Sequence, residues 1–408
     1  MKAALIAVGN EVLFGDTVNT NAAFLAAQLT QSGVEVVRQA VVPDALADVA
    51  ASIHDALAAA DLVVLIGGLG PTVDDLTRQA LALATDRPLH EDGAALTEIE
   101  GYFRERRRPM PVSNRQQALV PEGGQLLPNQ RGTAPGLWLE VDGRVLVALP
   151  GPPIELEPMF QEAVLPRLLP RLGGGRRVIW VRTSGIGESS LQELLGDLLT
   201  TANPSLLPYA KLGEVHLRIL ADGKSQEAAD QAAQGLLEAV RSRIAAYIYG
   251  LGDLTLEEVI LRRLGARAQT VAVAESASGG LVSERLSAVA GASRVFLGGT
   301  VVYTAGAKAR WAGLDPELLS REGPVSAFTA SHLALAVRRE LGAGWGVATC
   351  GWAGPEADGE IGLAYTAVAG EDGVACREHR LGRNRYDIRH RLAQAALWQL
   401  YQTLGEES

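Results

Sequence analysis

The feature that most constrains the fold is the alternation of short apolar runs and amphipathic segments in the first third of the chain. Apolar runs of strand length occupy residues 4–8, 34–42 and 62–66, and helical apolar spacing occupies residues 21–33 and 45–60. Strand–helix alternation is typical of βαβ units, which have parallel strands and helices on both faces of the sheet. We therefore predict an α/β domain.

The rest of the 408-residue chain is expected to form further domains, because this length suits two or three. Asp142 and Gly143 separate two apolar runs and predict a hairpin. The glycines at residues 173–175 lead into a strand–helix–strand–helix order, a small α+β domain. After residues 250–252 a helix with Thr255 as its N-cap opens a second α/β domain. The predicted boundaries are 1–172, 173–252 and 253–408.

Composition limits the function and the compartment. The formal net charge is −10, and without a basic stripe this argues against a nucleic-acid backbone as the main partner. Cys350 and Cys376 are the only cysteines, which excludes a disulfide framework and fits a reducing compartment. Since no apolar run reaches about 18 residues, no membrane span is expected. We predict a cytoplasmic protein.

A glycine-rich loop, GGLGPTVDDLT, follows the third predicted strand at residues 67–77. Glycines let backbone amides approach an anionic group, and the start of the next helix adds its dipole. The spacing is not that of a dinucleotide-binding motif, because Pro71 and Thr72 interrupt it. The loop is either a phosphate cradle or a tight turn in which Asp75 caps the next helix.

Acidic and amide side chains are predicted at the same edge of the sheet. Glu11 follows the first strand, and Asp74 and Asp75 lie in the glycine-rich loop. Three carboxylates beside a phosphate cradle would repel a pyrophosphate unless a divalent cation bridged them. Asn19 and Asn21 either bind sugar hydroxyls or, for Asn21, cap the helix that follows. Two proline- and glycine-containing loops, which include Gly132 and Gly151, are expected to wall this edge.

In the last third, the segment ESASGG at residues 275–280 joins a predicted buried strand to a predicted helix at residues 281–288. A serine there lies at a helix N-terminus, with the amides of Gly279 and Gly280 free to donate. This suits an oxyanion hole or a phosphate clamp. The alternative is that Ser276 or Ser278 is only the N-cap of the helix.

Tyr303 and Lys308 follow as the end of a strand and the turn or helix beyond it. A short-chain dehydrogenase needs Tyr-x-x-x-Lys, but here the separation is five and no nucleotide-binding glycine motif precedes it. Serine–lysine acyl transfer is favoured, with Lys308 as a base of lowered pKa and Tyr303 as orienter or proton relay. Arg385 and Arg389 either bind a phosphate or are solvated helix residues.

These motifs together resemble the CinA (competence/damage-inducible protein A) family over essentially the whole chain. In the first third the resemblance rests on GNEVLFG at residues 9–15, NTN at 19–21, the loop at 67–77, Asn129 with residues 132–136, and the loop at 150–155. The resemblance implies a molybdopterin-binding-like domain with metal-dependent ADP-ribose pyrophosphatase activity. RTSGIGES at residues 182–189 resembles the family's KH-like middle domain, which here lacks a basic, aromatic-interleaved face.

The last third resembles the family's nicotinamide-mononucleotide deamidase domain. Its pattern runs Ala-Glu-Ser-Cys-Thr-Gly-Gly, then Tyr and Lys, then Thr/Ser-Gly-Ile-Ala-Gly-Pro, then two arginines. The match implies Ser276 as nucleophile, Tyr303 and Lys308 as its partners, and Arg385 and Arg389 as the distal arginines. The chain departs from the pattern at four positions, which are Ala277, Ser278, Cys350 and Trp352.

The expected protein is thus a bifunctional hydrolase and a homodimer. It would deamidate nicotinamide mononucleotide without a metal, and would cleave ADP-ribose to AMP and ribose 5-phosphate with Mg²⁺, Mn²⁺ or Co²⁺ held by Glu11, Asp74 and Asp75. The rivals are a molybdopterin-binding or -transferring protein and a non-catalytic competence or recombination partner. Expected substrate contacts are Glu11, Asn19, Asn21, Gly67, Gly68, Gly70, Pro71, Thr72, Thr77, Gly132 and Gly151 in the first domain, and Glu275, Gly279, Gly280, Cys350, Gly351, Arg385 and Arg389 in the last.

Overall fold

The predicted alternation of strands and helices is present in the computed structural model, which describes residues 1–355, 359–382 and 384–405. The chain forms two compact units. Unit 1 consists of Met1–Arg177 and Asp222–Asp230, and unit 2 of Val178–Ala221 and Gln231–Ser408. Within the described ranges, no helix is long and apolar enough to cross a membrane.

Unit 1 is built around a six-stranded sheet. Its elements are β1 (Lys2–Val8), α1 (Asn10–Leu13), α2 (Thr20–Gln31), β2 (Glu35–Val42), α3 (Leu46–Ala59), β3 (Leu62–Ile66), α4 (Thr77–Thr85), β4 (Leu89–Glu91), α5 (Gly93–Glu105), β5 (Leu119–Pro121), β6 (Gln125–Leu127), β7 (Gly136–Val141), β8 (Arg144–Leu149), α6 (Pro153–Met159) and α7 (Leu165–Leu168). The strand order is β2-β1-β3-β8-β7-β6. The first four strands are parallel, and β7 and β6 are antiparallel to their neighbours, so the predicted hairpin forms one edge.

Successive side chains of β1 enter two different cores. Leu5 packs with Leu25 of α2 on one face of the sheet, and Ile6 packs with Ile53 of α3 on the other. A parallel strand buried on both faces needs such a continuous apolar run, which is what its sequence shows. The carboxyl ends of β1, β3 and β8 therefore meet at one edge, where open α/β sheets bind ligands.

The middle part of the chain forms a four-stranded sheet with two helices, as the α+β prediction requires. Its elements are β9 (Gly175–Thr183), α8 (Glu188–Leu195), β10 (Ser205–Lys211), β11 (Glu214–Gly223), α9 (Gln226–Ile244) and β12 (Ile248–Leu251). The strand order is β10-β11-β9-β12. Strands β10 and β12 have no counterpart in the sequence-based expectation.

The last part of the chain, in unit 2, contains a five-stranded sheet. Its elements are α10 (Leu256–Ala266), β13 (Val271–Glu275), α11 (Leu281–Ser287), β14 (Phe296–Val301), α12 (Ala305–Ala312), α13 (Pro316–Glu322), α14 (Ala327–Glu340), β15 (Trp345–Gly351), β16 (Leu363–Gly370), β17 (Gly373–Arg380) and α15 (Arg385–Leu404). Strand β13 is parallel to both β14 and β15, whereas β16 and β17 are antiparallel additions. Thr255 caps α10 as predicted. The carboxyl ends of β14, β13 and β15 therefore lie side by side.

Candidate functional site

A cavity of about 630 Å³ opens at the carboxyl ends of β1, β3 and β8 in unit 1. Most of the residues that we expected to contact substrate line it, namely Glu11, Asn19, Asn21, Gly67, Gly68, Gly70, Pro71, Thr72 and Gly151. Thr77 is fully buried beneath the loop instead, and Gly132 lies at a neighbouring cavity. The predicted glycine-rich loop therefore forms one wall of a ligand-sized cavity.

The glycine-rich loop is held by its own side chains. Gly68 has φ +67°, and a Cβ there would lie 2.3 Å from Thr77 Oγ1. The Thr77 hydroxyl donates to the carbonyl of Gly67 at 2.8 Å. Thr77 thus supports the loop from below rather than contacting a ligand directly, which corrects its predicted role.

Asp75 does not cap the following helix. The N-cap of α4 is Leu76, which makes no side-chain cap bond. The Asp75 carboxylate accepts from the backbone N–H and the hydroxyl of Thr72 at 2.8 and 2.7 Å. The predicted tight turn in which Asp75 caps the next helix is therefore wrong about the cap, because the Asp75 carboxylate bonds to Thr72 within the loop.

Two buried or partly buried side chains that sequence reasoning missed fix the loop from outside. Arg78 is 2% exposed and donates to the carbonyls of Leu69 and Pro135 at 2.7 and 2.9 Å, which ties together two cavity walls. Burial lowers the pKa of Arg78 to about 9, an effect partly opposed by Asp75. Gln116 donates to carbonyls of the loop at 3.0 and 2.8 Å. The sequence did offer one signal for Arg78, since it is the only charged residue of helix α4.

The two asparagines after β1 have different roles. Asn19 is the N-cap of α2 and accepts from the N–H of Ala22 at 3.1 Å. Asn21 is not a cap, because its amide donates to the carbonyl of Gly151 at 2.6 Å. The side-chain oxygen of Asn21, Oδ1, is buried without a hydrogen-bond partner in the described part of the chain. Asn21 therefore joins the start of α2 to the loop after β8.

Glu11, Asp74 and Asp75 line the same cavity, together with Asp44 and Glu155. Among the described residues, no three acidic, histidine or cysteine side chains are placed to hold a metal ion. Mg²⁺ is usually bound through one or two carboxylates plus substrate phosphates, and not in an all-protein cage. The residues fit a divalent cation that is bound by one or two carboxylates together with the phosphates of a ligand. The metal itself stays a prediction.

The serine segment in unit 2 is organised by Glu275. This side chain is fully buried, and its carboxylate accepts five hydrogen bonds. The donors are the hydroxyl of Ser278 (2.8 Å), the amides of Gly280 (3.0 Å) and Val282 (3.0 Å), and the amide (2.8 Å) and hydroxyl (2.7 Å) of Ser283. The N-cap of α11 is Gly280 and not a serine. Glu275 is therefore a positioning residue at the start of α11, and the predicted substrate contact and serine cap were wrong.

The amides expected to form an oxyanion hole are occupied. Gly279 N–H donates to the carbonyl of Ser276 at 3.0 Å, and Gly280 N–H donates to Glu275. By contrast, the amides of Ala277 and Ser278 donate to no described residue. An oxyanion hole commonly uses the amide that follows the nucleophile. The free donors beside Ser276 are thus the next two amides along the chain.

Thr349 is a further residue that sequence reasoning missed. It is fully buried on β15 directly opposite Glu275, and its carbonyl accepts from the N–H of Ser276 at 3.0 Å. Its hydroxyl lies 2.6 Å from that of Ser278. A single threonine within an apolar strand gives no periodic signal, so the sequence did not single it out. Thr349 anchors the serine segment to the centre of the sheet.

Ser276 directly follows β13, and Tyr303 and Lys308 follow the adjacent strand β14. The N–H of Val302 donates to the carbonyl of Glu275 at 2.7 Å, which places the chain after β14 beside the serine segment. The strand ends at Val301, two residues earlier than expected, and Tyr303 is 54% exposed. Ser276 and Lys308 are each 3% exposed. The predicted nucleophile and the predicted base are thus both buried, whereas the tyrosine is exposed.

Lys308 is on α12, and its ammonium donates to the carbonyl of Pro324 at 2.7 Å. Burial lowers the pKa of Lys308 below the ordinary value of 10.5, with Cys350 and Tyr303 acting in the opposite direction. The cause of the lowered pKa is therefore desolvation of the ammonium group. A buried lysine of lowered pKa is what a lysine base requires.

Arg385 and Arg389 both donate hydrogen bonds to groups of this site, although Arg385 is exposed to solvent. They lie in the first turns of α15, whose N-cap is Asn384. Arg385 donates to the carbonyl of Gly354 at 2.6 Å and to the hydroxyl of Tyr303. Arg389 donates to the carbonyl of Ser278 at 3.1 Å. In the described part of the chain neither guanidinium has a carboxylate partner, so both can pair with an anionic ligand.

Comparison with known proteins agrees with this arrangement. Residues 4–170 match the model of a probable molybdopterin binding domain, residues 178–250 the damage-inducible protein CinA KH domain, and residues 253–404 the CinA C-terminal domain. A relative from Moorella thermoacetica, named as competence-damage inducible, is 44% identical over 410 residues, which is 99% of each chain. A CinA-like protein from Frankia casuarinae is 41% identical over 410 residues, 97% of this chain and 95% of its own. The chain belongs to the CinA family.

Two departures from the CinA pattern, Ala277 and Ser278, lie in the serine segment and leave its hydrogen-bonding groups in place. Ala277, where the pattern has cysteine, packs against Ile388 and Leu392. Ser278 keeps the hydroxyl that threonine would supply, and that hydroxyl is bonded to Glu275 and lies beside Thr349. The hydrogen-bonded frame of the CinA serine segment is therefore complete here.

Cys350 stands where the CinA pattern has threonine or serine. It is fully buried in an apolar cluster with Ala274 and Leu333, and so does not form an exposed substrate contact as we had expected. Burial raises the pKa of the Cys350 thiol to about 11, an effect partly opposed by Lys308. Cys350 is thus a neutral neighbour of the lysine. For Gly351, a Cβ would lie 2.9 Å from that of Ala364, so the glycine permits close strand packing.

Proposed function

We propose that the site in unit 2 hydrolyses the carboxamide of nicotinamide mononucleotide, giving nicotinic acid mononucleotide and ammonia. The observations that carry this proposal are a buried serine directly after β13, a buried lysine of lowered pKa on α12, and two guanidiniums that have no carboxylate partner among the described residues. Serine–lysine pairs activate the hydroxyl without histidine or metal. The arginines suit the substrate phosphate.

In the proposed reaction, neutral Lys308 takes the proton of Ser276 Oγ as that oxygen attacks the carboxamide carbon. The developing oxyanion is stabilised by the unoccupied amides of Ala277 and Ser278. The proton then passes to the leaving nitrogen, the C–N bond breaks and ammonia departs. Water, deprotonated by Lys308, attacks the ester and releases the carboxylate product and the free serine.

Tyr303 has a positioning role in this scheme. Its hydroxyl accepts a hydrogen bond from Arg385, and its side chain is exposed to solvent. Arg385 is thereby oriented, with Arg389 one turn further along α15, for a phosphate outside the site. A bidentate arginine–phosphate contact would hold the nucleotide while its amide reaches Ser276.

The test is ammonia release from nicotinamide mononucleotide by the full-length chain. Ser276→Ala should reduce kcat by about 100-fold or more, the usual scale for loss of a nucleophile. Ser287→Ala is the matched control, because Ser287 is an exposed residue at the end of α11, the helix that follows the serine segment, and its hydroxyl donates only to the carbonyl of Glu284. A Ser276→Ala protein with wild-type turnover would exclude Ser276 as the nucleophile.

For unit 1 we propose cleavage of ADP-ribose to AMP and ribose 5-phosphate. The supporting observation is the cavity of about 630 Å³, lined by the glycine-rich loop and by carboxylates. The carboxylates of Glu11 and Asp74 accept no hydrogen bond within the described part of the chain, and with Asp75 they would hold the divalent cation, which would neutralise pyrophosphate charge. The loop amides and Asn21 would bind and orient the nucleotide.

The matched domain description favours molybdopterin binding as the rival for unit 1. The two alternatives differ in product. AMP formation from ADP-ribose supports the pyrophosphatase, whereas tight retention of pterin with no AMP supports the rival. Turnover of either nucleotide would count against a purely non-catalytic role in competence. The homodimer and the cytoplasmic location remain predictions.

A further inference from the structure

A second cavity in unit 2, of about 370 Å³, is not used by the proposed deamidation. Residues of the middle sheet form one side of it, including Ser184 and Gly185 of the motif RTSGIGES. The other side is formed by side chains of β17 and α15. Its volume is within the range of small-molecule sites. The motif that had no functional assignment in the sequence therefore borders a cavity.

The charged side chains that line this cavity are all basic. Arg377 and Arg391 line it, and the described lining contains no aspartate or glutamate. Arg377 donates only to the amide oxygen of Gln402, at 2.5 Å. Arg391 makes no hydrogen bond or ion pair with a described residue, and its Nε is buried without a partner. Two uncompensated guanidiniums in a concave site are unusual for a chain of net charge −10.

Two acidic residues that adjoin lining residues in the sequence already have hydrogen-bond partners. Glu214 accepts from Gln394 at 2.8 Å and is paired with His216 at 2.8 Å. Glu378, next to Arg377 in sequence, accepts from Arg380 at 3.0 Å. Neither carboxylate therefore neutralises the arginines of the cavity, so an anion from solution would meet little competition inside the protein.

Close packing frames the cavity. A Cβ on Gly185 would lie 2.1 Å from Nε1 of Trp398, so only glycine allows the middle sheet to approach α15 this closely. Gln394 of α15 is 4% exposed and donates to the hydroxyl of Ser184 at 2.9 Å. The side chain of Trp398 supplies an apolar surface beside the arginines. The arrangement is fixed, with a polar end and an aromatic wall.

We propose that this cavity is a second binding site, in which Arg377 and Arg391 hold the phosphate or carboxylate group of a small molecule whose body packs against Trp398. Such a ligand contacts the middle sheet and α15 together, so it stabilises unit 2 by an amount that increases with the ratio of ligand concentration to Kd. The site does not depend on the deamidation proposed above. Inorganic phosphate, AMP and citrate represent the possible sources of the anion.

The test is fluorine NMR of the full-length chain labelled with 5-fluorotryptophan, titrated separately with phosphate, AMP and citrate. Trp398→Phe identifies the resonance of Trp398 among the six tryptophans. That resonance should shift saturably with at least one probe. The double variant Arg377→Gln/Arg391→Gln should weaken this binding by at least about tenfold, as expected for the loss of charge-assisted bonds. Arg262→Gln, an exposed helix arginine away from the cavity, should leave it unchanged.

The three probes distinguish a phosphate site from a carboxylate site, and AMP distinguishes a nucleotide from free phosphate. Arg377→Gln alone provides a second variant, since Arg377 is exposed on β17 and its replacement disturbs no core. The proposal would be overturned if no probe shifts the Trp398 resonance at concentrations up to about 10 mM. Binding with a dissociation constant of about 1 mM would be close to saturation at that concentration. An equal shift in the double variant would also overturn it.

Discussion

Replacing Glu275 by glutamine isolates what the buried carboxylate contributes to the serine segment. In the native protein, Glu275 Oε2 accepts three hydrogen bonds and Oε1 accepts two. Glutamine keeps the shape but presents an NH₂ group at one of these ends. Hydroxyls can rotate to accept from it, whereas a backbone N–H cannot turn away. At least one amide at the start of α11 therefore loses its acceptor and faces a donor.

The expected cost follows from these contacts. A hydrogen bond to a charged group contributes about 1.5–3 kcal/mol, and a carboxylate at a helix N-terminus adds about 0.3–1 kcal/mol. Because Glu275 is fully buried, solvent cannot replace the lost partner. We expect Glu275→Gln to lower the free energy of unfolding of unit 2 by about 2–4 kcal/mol.

Guanidinium denaturation followed by tryptophan fluorescence measures this loss. Unit 2 contains five of the six tryptophans, namely Trp180, Trp311, Trp345, Trp352 and Trp398. Glu284→Gln is the control, since Glu284 is an exposed glutamate on α11 whose side chain makes no hydrogen bond in the described part of the chain. If Glu275→Gln unfolds within about 0.5 kcal/mol of the wild type, a range typical of neutral surface changes, the carboxylate does not organise this segment.

Four further predictions concern the two proposed activities. Because burial lowers the pKa of Lys308, its neutral, basic form grows as pH rises, so kcat for deamidation should increase through an apparent pKa below 10.5. Lys308→Arg should be nearly inactive, and an active variant would show that Lys308 acts only as a charge. Arg78→Met removes the hydrogen bonds that join two walls of the unit 1 cavity, so AMP formation should fall by about tenfold or more. Ammonia release should be unchanged. An equal loss of both activities would indicate general unfolding. EDTA should stop AMP formation and spare deamidation, and AMP formation that persists in EDTA would remove the metal from the account.

Much of the fold follows from local patterns in the sequence. The apolar run that became β3 has the same bounds in the prediction and in the structure, because Gly67 ends it and both faces of the strand are buried. Helix α9 (Gln226–Ile244) is the second helix of the predicted strand–helix–strand–helix order. Strand β10 was missed because it is only partly buried and contains Pro208, which weakens a strand pattern.

The candidate site was predictable at the level of side chains and less so at the level of backbone groups. Strand-exit positions were enough to bring Ser276 and Tyr303 together, since parallel strands end at one edge. The partners of the Gly279 and Gly280 amides were not predictable, because they depend on the left-handed turn that these glycines adopt and on a buried carboxylate. Thr349 was missed because an isolated polar residue in an apolar strand has no periodic signature.

The most direct test of the proposed mechanism is detection of the acyl-enzyme ester. Wild-type protein is mixed with nicotinamide mononucleotide, quenched in acid within a turnover, digested and mapped by mass spectrometry. The account predicts a peptide that carries the nucleotide minus ammonia, with the ester on Ser276, and no such peptide from Ser276→Ala. An acyl group on a peptide that lacks Ser276, or steady ammonia release with no acylated peptide, would contradict the proposal that Ser276 is the nucleophile.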